Sequence, residues 1–526
     1  MNLKILYLRR DMSIKEKHMK KIMKLLKELY DKYKYSIYSS MIFTFLTHFY
    51  FFSRRLANED DLSYLVFKDF ALTSGRWNNG TLFTTSLMSP SVNFILVIII
   101  LAIISLLICD IFKIKNKKNM ILISLIISTF PSLALSFSYL FMVEIYMTSL
   151  LLAVLAVWLS TKWKYGFIPG SLCIALSLGN YQSYIAVSVS LIIIYVIKET
   201  IDKKKEILKD ILKLFIMGIL GIIIYFIILK VLLLINKTSL SNYKGADSMG
   251  IPPISEWPKL IFRTYKHFIG YFIGKSYFRV SIFESTIRIL TIILTFILLI
   301  NKITKEKFYK NKTNIIIFII LIVLIPFTFN IVDFMEFKAD LTSLQIYSFS
   351  SLYLLIILIL DKTKPNYLNT ILTILIIAIG IMNFTTVNKY YFKQETYYKY
   401  TENFNNRLLN KIESTEGYYY GIPIIFKGES NSNFYKELNT LPNTNDNITF
   451  DQSLWGGKYI GYADLYTYNN DKKIFRMINN EFGVYLNRVT DEERDKIKDN
   501  IEYNNMKSYP EKDSIKIIDG ILVVNF

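Results

Sequence analysis

The chain has 526 residues, of which 52% are hydrophobic and 15% aromatic, and a formal net charge of +20. Apolar runs such as SVNFILVIIILAIISLLIC (91–109) match the roughly 20 residues a helix needs to cross a bilayer core, which excludes an ordinary soluble enzyme. The charge does not indicate nucleic acid as a partner. Residues 386–526 carry 18 Lys/Arg against 20 Asp/Glu, so the basic excess lies in the membrane half, where it suits an anionic inner leaflet.

The basic N-terminus, 1–34, opens the chain. In IKEKHMKKIMKLLKELYDKY, Ile22, Leu25, Leu26, Leu29 and Tyr33 recur at helical spacing among lysines, which predicts an interfacial helix on the inner membrane face. About eleven spans follow, centred on 36–52, 91–109, 120–139, 141–160, 166–180, 183–197, 212–235, 284–301, 314–330, 343–360 and 367–385. The third and fourth touch, so a broken or re-entrant helix is expected there, and the fifth is short enough to dip rather than cross.

With the N-terminus in the cytoplasm, the Lys-rich segments 1–34, 110–119, 161–165, 198–211, 302–313 and 361–366 all fall inside. The segments near 53–90, 140, 181 and 331–342 then fall outside, as does the long loop 237–283 with its amphipathic stretch 259–274. The division is a basic N-terminus, a membrane domain over 35–385 and a tail over 386–526 sent outside by the odd span count. In the tail, strand-like YYYGIPIIFKG and SIKIIDGILVVNF alternate with helical NFNNRLLNKIEST and DEERDKIKDNI, which reads as an extracytoplasmic α+β domain. Cys109 and Cys173 sit in apolar runs, so no disulfide framework is expected. There is no cleavable-signal pattern and no internal repeat of the kind secondary transporters carry.

The first outer loop holds LANEDDLSYLVFKDFALTSGRW (56–77). A carboxylate at the outer end of a span can accept a proton from an acceptor hydroxyl, and Asp60 and Asp61 are the candidate bases. Arg76, with Arg54 or Arg55, could grip a phosphate, because guanidinium pairs with phosphate oxygens in a fork. The plainer alternative is that Asn58 or Asp60 caps a surface helix marked by Leu62, Leu65, Val66 and Phe70, while Glu59 and Asp69 are solvated. Glu144 lies in an apolar run, and an intramembrane acid is a site candidate by default. Asn180, Tyr181, Gln182 and Tyr184 mark one outer turn, and Asp333, Glu336, Lys338 and Asp340 another. All of these are either loop polarity or the lining of one outer cavity. Of the three histidines, His48 is read as a packed polar residue, and His18 and His267 lie in amphipathic stretches. No nucleotide loop and no metal-spaced cluster is present, so energy for an outer reaction arrives with the substrate or from an ion gradient. A divalent metal is compatible with the sequence but not indicated by it.

NEDDLSYL followed by SGRWNNGTLF, then SFSYLFMVEIYMTSLLLAVLA, LSLGNYQSYIAV and the closing NNMKSYPEKDSIKIIDGILVVNF occur in the order seen in a known family. The chain resembles the bacterial O-antigen glucosyltransferases, the phage-type seroconversion enzymes, of the GT-C class of membrane glycosyltransferases. Trp77 stands where that family usually has Pro, Glu144 where Asp is commoner, and Asn525 where Lys is usual. The resemblance implies a GT-C-like membrane domain and a polyprenyl-phosphate sugar as donor, an undecaprenyl-phosphate hexose, made inside by a synthase and flipped outward. It implies Asp60 or Asp61 as base, Arg76 on the lipid phosphate and a surface glycan as acceptor; Glu144, Tyr181, Gln182, Asp333 and Glu336, read from their outer-edge positions, are the candidate substrate-binding residues. The alternatives are a lipid-linked oligosaccharide polymerase or flippase, and a non-catalytic glycan-binding scaffold.

Overall fold

The computed structural model describes residues 2–57, 60–61, 71–78, 89–202, 207–248, 250–278, 280–305, 312–339, 341–363, 366–427 and 471–526. Helices within these are numbered in chain order. α1 (Asn2–Arg54) runs without a break from the basic N-terminus through the first span, bending at Tyr33 where φ and ψ leave the helical range. The expected boundary between an interfacial helix and the first span is therefore a kink inside one helix. Leu29 and Tyr33 are buried, whereas Met19, Met23 and Leu26 on the same segment are exposed.

α2 (Pro90–Phe112) takes Pro at its start, where a missing N–H costs nothing, and ends on Lys113 in the left-handed region. The third expected span is broken. α3 (Lys117–Thr129) stops at Phe130, whose extended backbone is what a following proline favours, and α4 (Ser132–Phe137) resumes after Pro131. A one-turn 3₁₀ helix, Leu140–Met142, then leads into α5 (Val143–Lys162).

α6 (Phe167–Asn180), α7 (Ile185–Ile201) and α8 (Ile207–Ile235) complete the first half. α9 (Trp257–Phe272) is the amphipathic helix of the long loop. α10 (Ile282–Lys305), α11 (Lys312–Phe329), the short α12 (Ile331–Met335), α13 (Ser350–Asp361) and α14 (Tyr367–Glu413) follow. Among the described residues, seven helical segments are long and apolar enough to cross a membrane, and two shorter apolar ones span 167–180 and 347–361. The chain is a polytopic helical membrane protein.

α1 packs on α2 and α3, α5 on α2 and α6, α6 on α8, and α7 on α11. Residues 350–360 of α13 are all buried, as expected of a helix apolar on every side. Small hydroxyl residues let the helices approach: Ser190 donates to Ser351 at 2.9 Å, Ser149 to the Ser177 carbonyl at 2.8 Å and Thr44 to Ser128 at 3.1 Å.

α14 does not stop at the expected end of the membrane domain near 385. The whole helix is 47 residues long, ends at Glu413 and carries the tail on its far end. The described tail is a four-stranded sheet in the order β2-β1-β4-β3, built from β1 (Pro423–Lys427), β2 (Asn487–Arg488), β3 (Ile515–Ile518) and β4 (Ile521–Asn525). β1 runs parallel to β2 and β4, while β3 and β4 form a hairpin over Asp519-Gly520, both at positive φ as a two-residue turn requires. α15 (Asp471–Glu481), α16 (Asp491–Ile497) and α17 (Ile501–Asn504) pack around it.

The connecting segments meet in two groups. Lys32 and Lys162 both lie by Asp110, the amides of Lys115 and Asn116 face Asp361, and Lys362 pairs with Asp202. A second set joins Asp61 to Phe141, Ser74 to Gln182, Asp247 to Lys338 and Gln345 to Ser183.

Candidate functional site

The site is assembled around the turn 71–78. Gly75 has φ +81°, so the chain reverses there and presents Arg76. Gln182 Nε2 donates to the Ser74 carbonyl at 2.9 Å, and the Tyr225 hydroxyl donates to the Gly75 carbonyl at 3.0 Å. Asn78 closes the other side, its amide N–H donating to the Gly179 carbonyl at 2.9 Å and its side chain to Asn180 Oδ1 at 2.8 Å. Gly179 is needed because a Cβ there would stand 2.6 Å from the Trp77 ring. The motifs SGRWNN and LGNYQ are thus two halves of one structural unit.

Arg76 lies with its guanidinium 4.9 Å from the centroid of Tyr181, a fully packed ring that also meets Tyr146 at 4.6 Å and Tyr184 at 5.6 Å. Tyr181 therefore supports Arg76 from below. Above it opens a cavity of about 440 Å³. Ser74, Arg76, Gln182, Ser183 and Glu336 line its polar part, and Ile185, Val189, Ile222, Phe226, Leu229 and Leu240 its apolar part. Much of the apolar wall is α8, whose central stretch is only 17% buried. The cavity thus adjoins the outward surface of the helix bundle. A guanidinium at the head of an apolar cavity suits a ligand with an anionic head and a hydrocarbon chain.

Glu336 is held by Gln345, which donates both to its carboxylate and to Ser183 Oγ. Asp333 does not line the cavity. It is wholly buried behind it, 3.5 Å from Arg263 Nε and 3.2 Å from His267 Nδ1 on α9, and so ties α12 to the amphipathic helix. His48 is packed as read, bonded to Tyr391 and the Ser128 carbonyl.

The two candidate bases differ. Asp61 is 3% exposed, and its Oδ1 accepts the amide N–H of Phe141 at 3.1 Å. It thereby holds the 3₁₀ turn Leu140–Met142, 80 residues along the chain. Glu144, also buried, sits in the first turn of α5, which follows that 3₁₀ turn, and the macrodipole there favours a carboxylate. Asp60 keeps 29% of its side chain exposed, with Lys473 Nζ 3.6 Å from Oδ1. Asp60, Asp61 and Glu144 are not among the residues that line the cavity.

Arg54 and Arg55 are not phosphate ligands in this arrangement. Arg55 forks onto Glu481 at 2.9 and 3.2 Å, and Arg54 lies 3.8 Å from Glu395. Lys338 pairs with Asp247. Asn58, Glu59, the surface-helix residues 62–70 with Asp69, and Asp340 lie outside the described residues. Sequence reasoning missed Tyr225, Gln345 and Lys473. The first is a lone tyrosine in an apolar run, a detectable signal, whereas the others gain a role only through contact.

Fold and site together define a polytopic membrane protein with a largely apolar cavity that carries Arg76, Gln182 and Glu336 in its lining. The family model for glucosyl transferase GtrII matches residues 49–360, and the chain belongs to that family. This agrees with the motif resemblance to the phage-type seroconversion enzymes. No curated protein and no solved structure matches it.

Proposed function

We propose that the protein moves a hexose, glucose in keeping with its family, from a polyprenyl-phosphate carrier to a cell-surface glycan or lipid-linked saccharide. The reaction takes place at the outer face of the cytoplasmic membrane, on a GT-C-like domain of eleven spans with the N-terminus inside and the tail outside. The observation that carries this reading is the cavity with Arg76, Gln182 and Glu336 at its head and α7 and α8 along its apolar wall. The carrier phosphate sits against Arg76 and its isoprenoid chain lies along Ile222, Phe226 and Leu229.

Asp60 is the base. It is the carboxylate an acceptor can reach, while Asp61 is engaged with the Phe141 amide and fixes the loop. The acceptor hydroxyl gives its proton to Asp60 as its oxygen bonds to the anomeric carbon. The bond from that carbon to the phosphate oxygen breaks, and the lipid phosphate leaves with its charge held by Arg76. The displacement inverts, so a β-linked donor yields an α-linkage. A donor synthase and a flippase supply the substrate from inside.

The test is a panel of polyprenyl-phosphate sugars offered with acceptor to the purified full-length enzyme. Consumption of the glucose donor is expected. Asp60→Asn lowers kcat by a factor on the order of 100 or more, the usual worth of a general base. Asp61→Asn keeps an oxygen for the Phe141 amide and loses less. Full transfer by Asp60→Asn sinks the base assignment, and no consumption of any donor sinks the function.

A further inference from the structure

We propose that Lys473, carried by α15 of the tail, is a positioning residue for Asp60, so that the C-terminal tail completes the catalytic centre. The proposal rests on Asp60 acting as the base. Lys473 also lies beyond the part of the chain that the family model matches, 49–360.

The helix DKKIFRMINNE is built to be held rigidly. Ile474, Phe475, Met477 and Ile478 are buried. Phe475 meets Phe426 of β1 at a ring distance of 4.9 Å, and Asn405 of α14 donates to Met477 Sδ at 3.9 Å. With that face fixed, Lys473 and Glu481 reach the first outer loop together, eight residues or roughly 12 Å of helix apart. Glu481, 6% exposed, receives the Arg55 fork, and Lys473 stands 3.6 Å from Asp60 Oδ1. One rigid helix therefore grips the loop at both 55 and 60.

A pair this exposed adds little to stability. What it supplies is direction. A base must stand within hydrogen-bond reach of the proton it takes, and a displacement of about 1 Å can lower a rate on the order of 100-fold. A cation carried on a packed helix and held 3.6 Å from Oδ1 restrains the direction in which the Asp60 carboxylate points. The donor cavity contains neither residue, so donor binding is separate from this contact.

The experiment uses full-length purified enzyme, the glucose donor, and the variants Lys473→Ala, Lys473→Met and Lys473→Arg. The two neutral variants are expected to lower kcat about 10- to 100-fold, with donor KM within about twofold, and Lys473→Arg to recover most of the loss. Undiminished kcat in the neutral variants, a change confined to KM, or an arginine variant as poor as alanine overturns the role. The contact itself is read independently of activity, by a short bifunctional thiol cross-linker on the Asp60→Cys, Lys473→Cys double variant. The native Cys109 and Cys173 are buried and stay silent. Failure to cross-link overturns the proposal. A wild-type enzyme inert toward every donor instead overturns the functional reading, and the role of Lys473 with it, while cross-linking still reports the contact.

Discussion

Gly75 shows how much a single position carries. Its φ of +81° is costly for any residue with a Cβ, and that Cβ would stand 2.7 Å from the Tyr225 hydroxyl and 2.9 Å from Gln182 Nε2, the two groups that grip the turn. Gly75→Ala is therefore expected to unseat Arg76 as well as strain the backbone. Gly421, at φ +87° with open space around it, is the control, because alanine there meets only the backbone cost of about 1–2 kcal/mol. Thermal melting of the two variants should show a clearly larger loss for Gly75→Ala, and only that variant should raise the donor KM. Equal losses with unchanged KM would mean that the Tyr225–Gln182 clamp does not hold the arginine. Asp61 teaches a related lesson, since a carboxylate read as a candidate base accepts the amide of a turn 80 residues along the chain.

Among the elements, the long loop and α12 form one wall of the cavity. Gly245, Ala246, Gly250 and Ile251 face Ile331, Met335 and Glu336 across it, and Asp247 is bonded to Lys338 through both carboxylate oxygens at 2.9 Å. The Lys338 hydrogen bond holds the Asp247 carboxyl below the usual carboxylate range. A carboxyl depressed in the folded state stabilises it above the unfolded value, about 3.9, and loses that contribution as pH falls through the folded value. Amide exchange in 243–251, corrected for intrinsic rates, should stay flat between about pH 5 and 8 and rise below about pH 4. In Asp247→Asn the raised exchange should already be present at neutral pH. A wild-type profile identical to that of the variant would show that the tie does not restrain the loop. α9 joins the same wall through Arg263 and His267 on Asp333, so the amphipathic helix is mechanically continuous with the cavity.

At the scale of the whole molecule, lysine-rich connections meet at one end of the bundle and the motif-bearing turns at the other. Cys109 and Cys173 are buried, so single cysteines introduced elsewhere can report sidedness without altering them. Lys362→Cys should react with an impermeant thiol reagent only in inverted vesicles, and Asn242→Cys only in intact cells stripped of their outer layers. The same sidedness for both would refute the proposed topology. α14 reaches from the membrane part to the tail, and Glu395 near its middle, with Arg54 3.8 Å away, is linked to the end of α1. The tail is thus set over the acidic loop by a single long helix.

By itself the sequence determined the membrane class, a broken helix among the third and fourth expected spans, the strand-like pieces of the tail, and the amphipathic stretch of the long loop. Each depends on local physics: apolar run length, the steric demand of proline, residue alternation and helical periodicity. It also placed Arg76, Gln182 and Glu336 on one side, and the family match agrees with the ordered motifs that drew the resemblance. Tertiary structure alone decided which of those groups share a cavity. Tyr181 went beneath Arg76, Asp333 behind the wall and Asp61 onto another helix, because a buried polar group must find its partner wherever packing puts one. Lys473 and Glu481 reach the acidic loop over more than 400 residues of chain. No local pattern encodes such a contact. It exists because α14 does not end with its apolar stretch and carries the tail back to the loop.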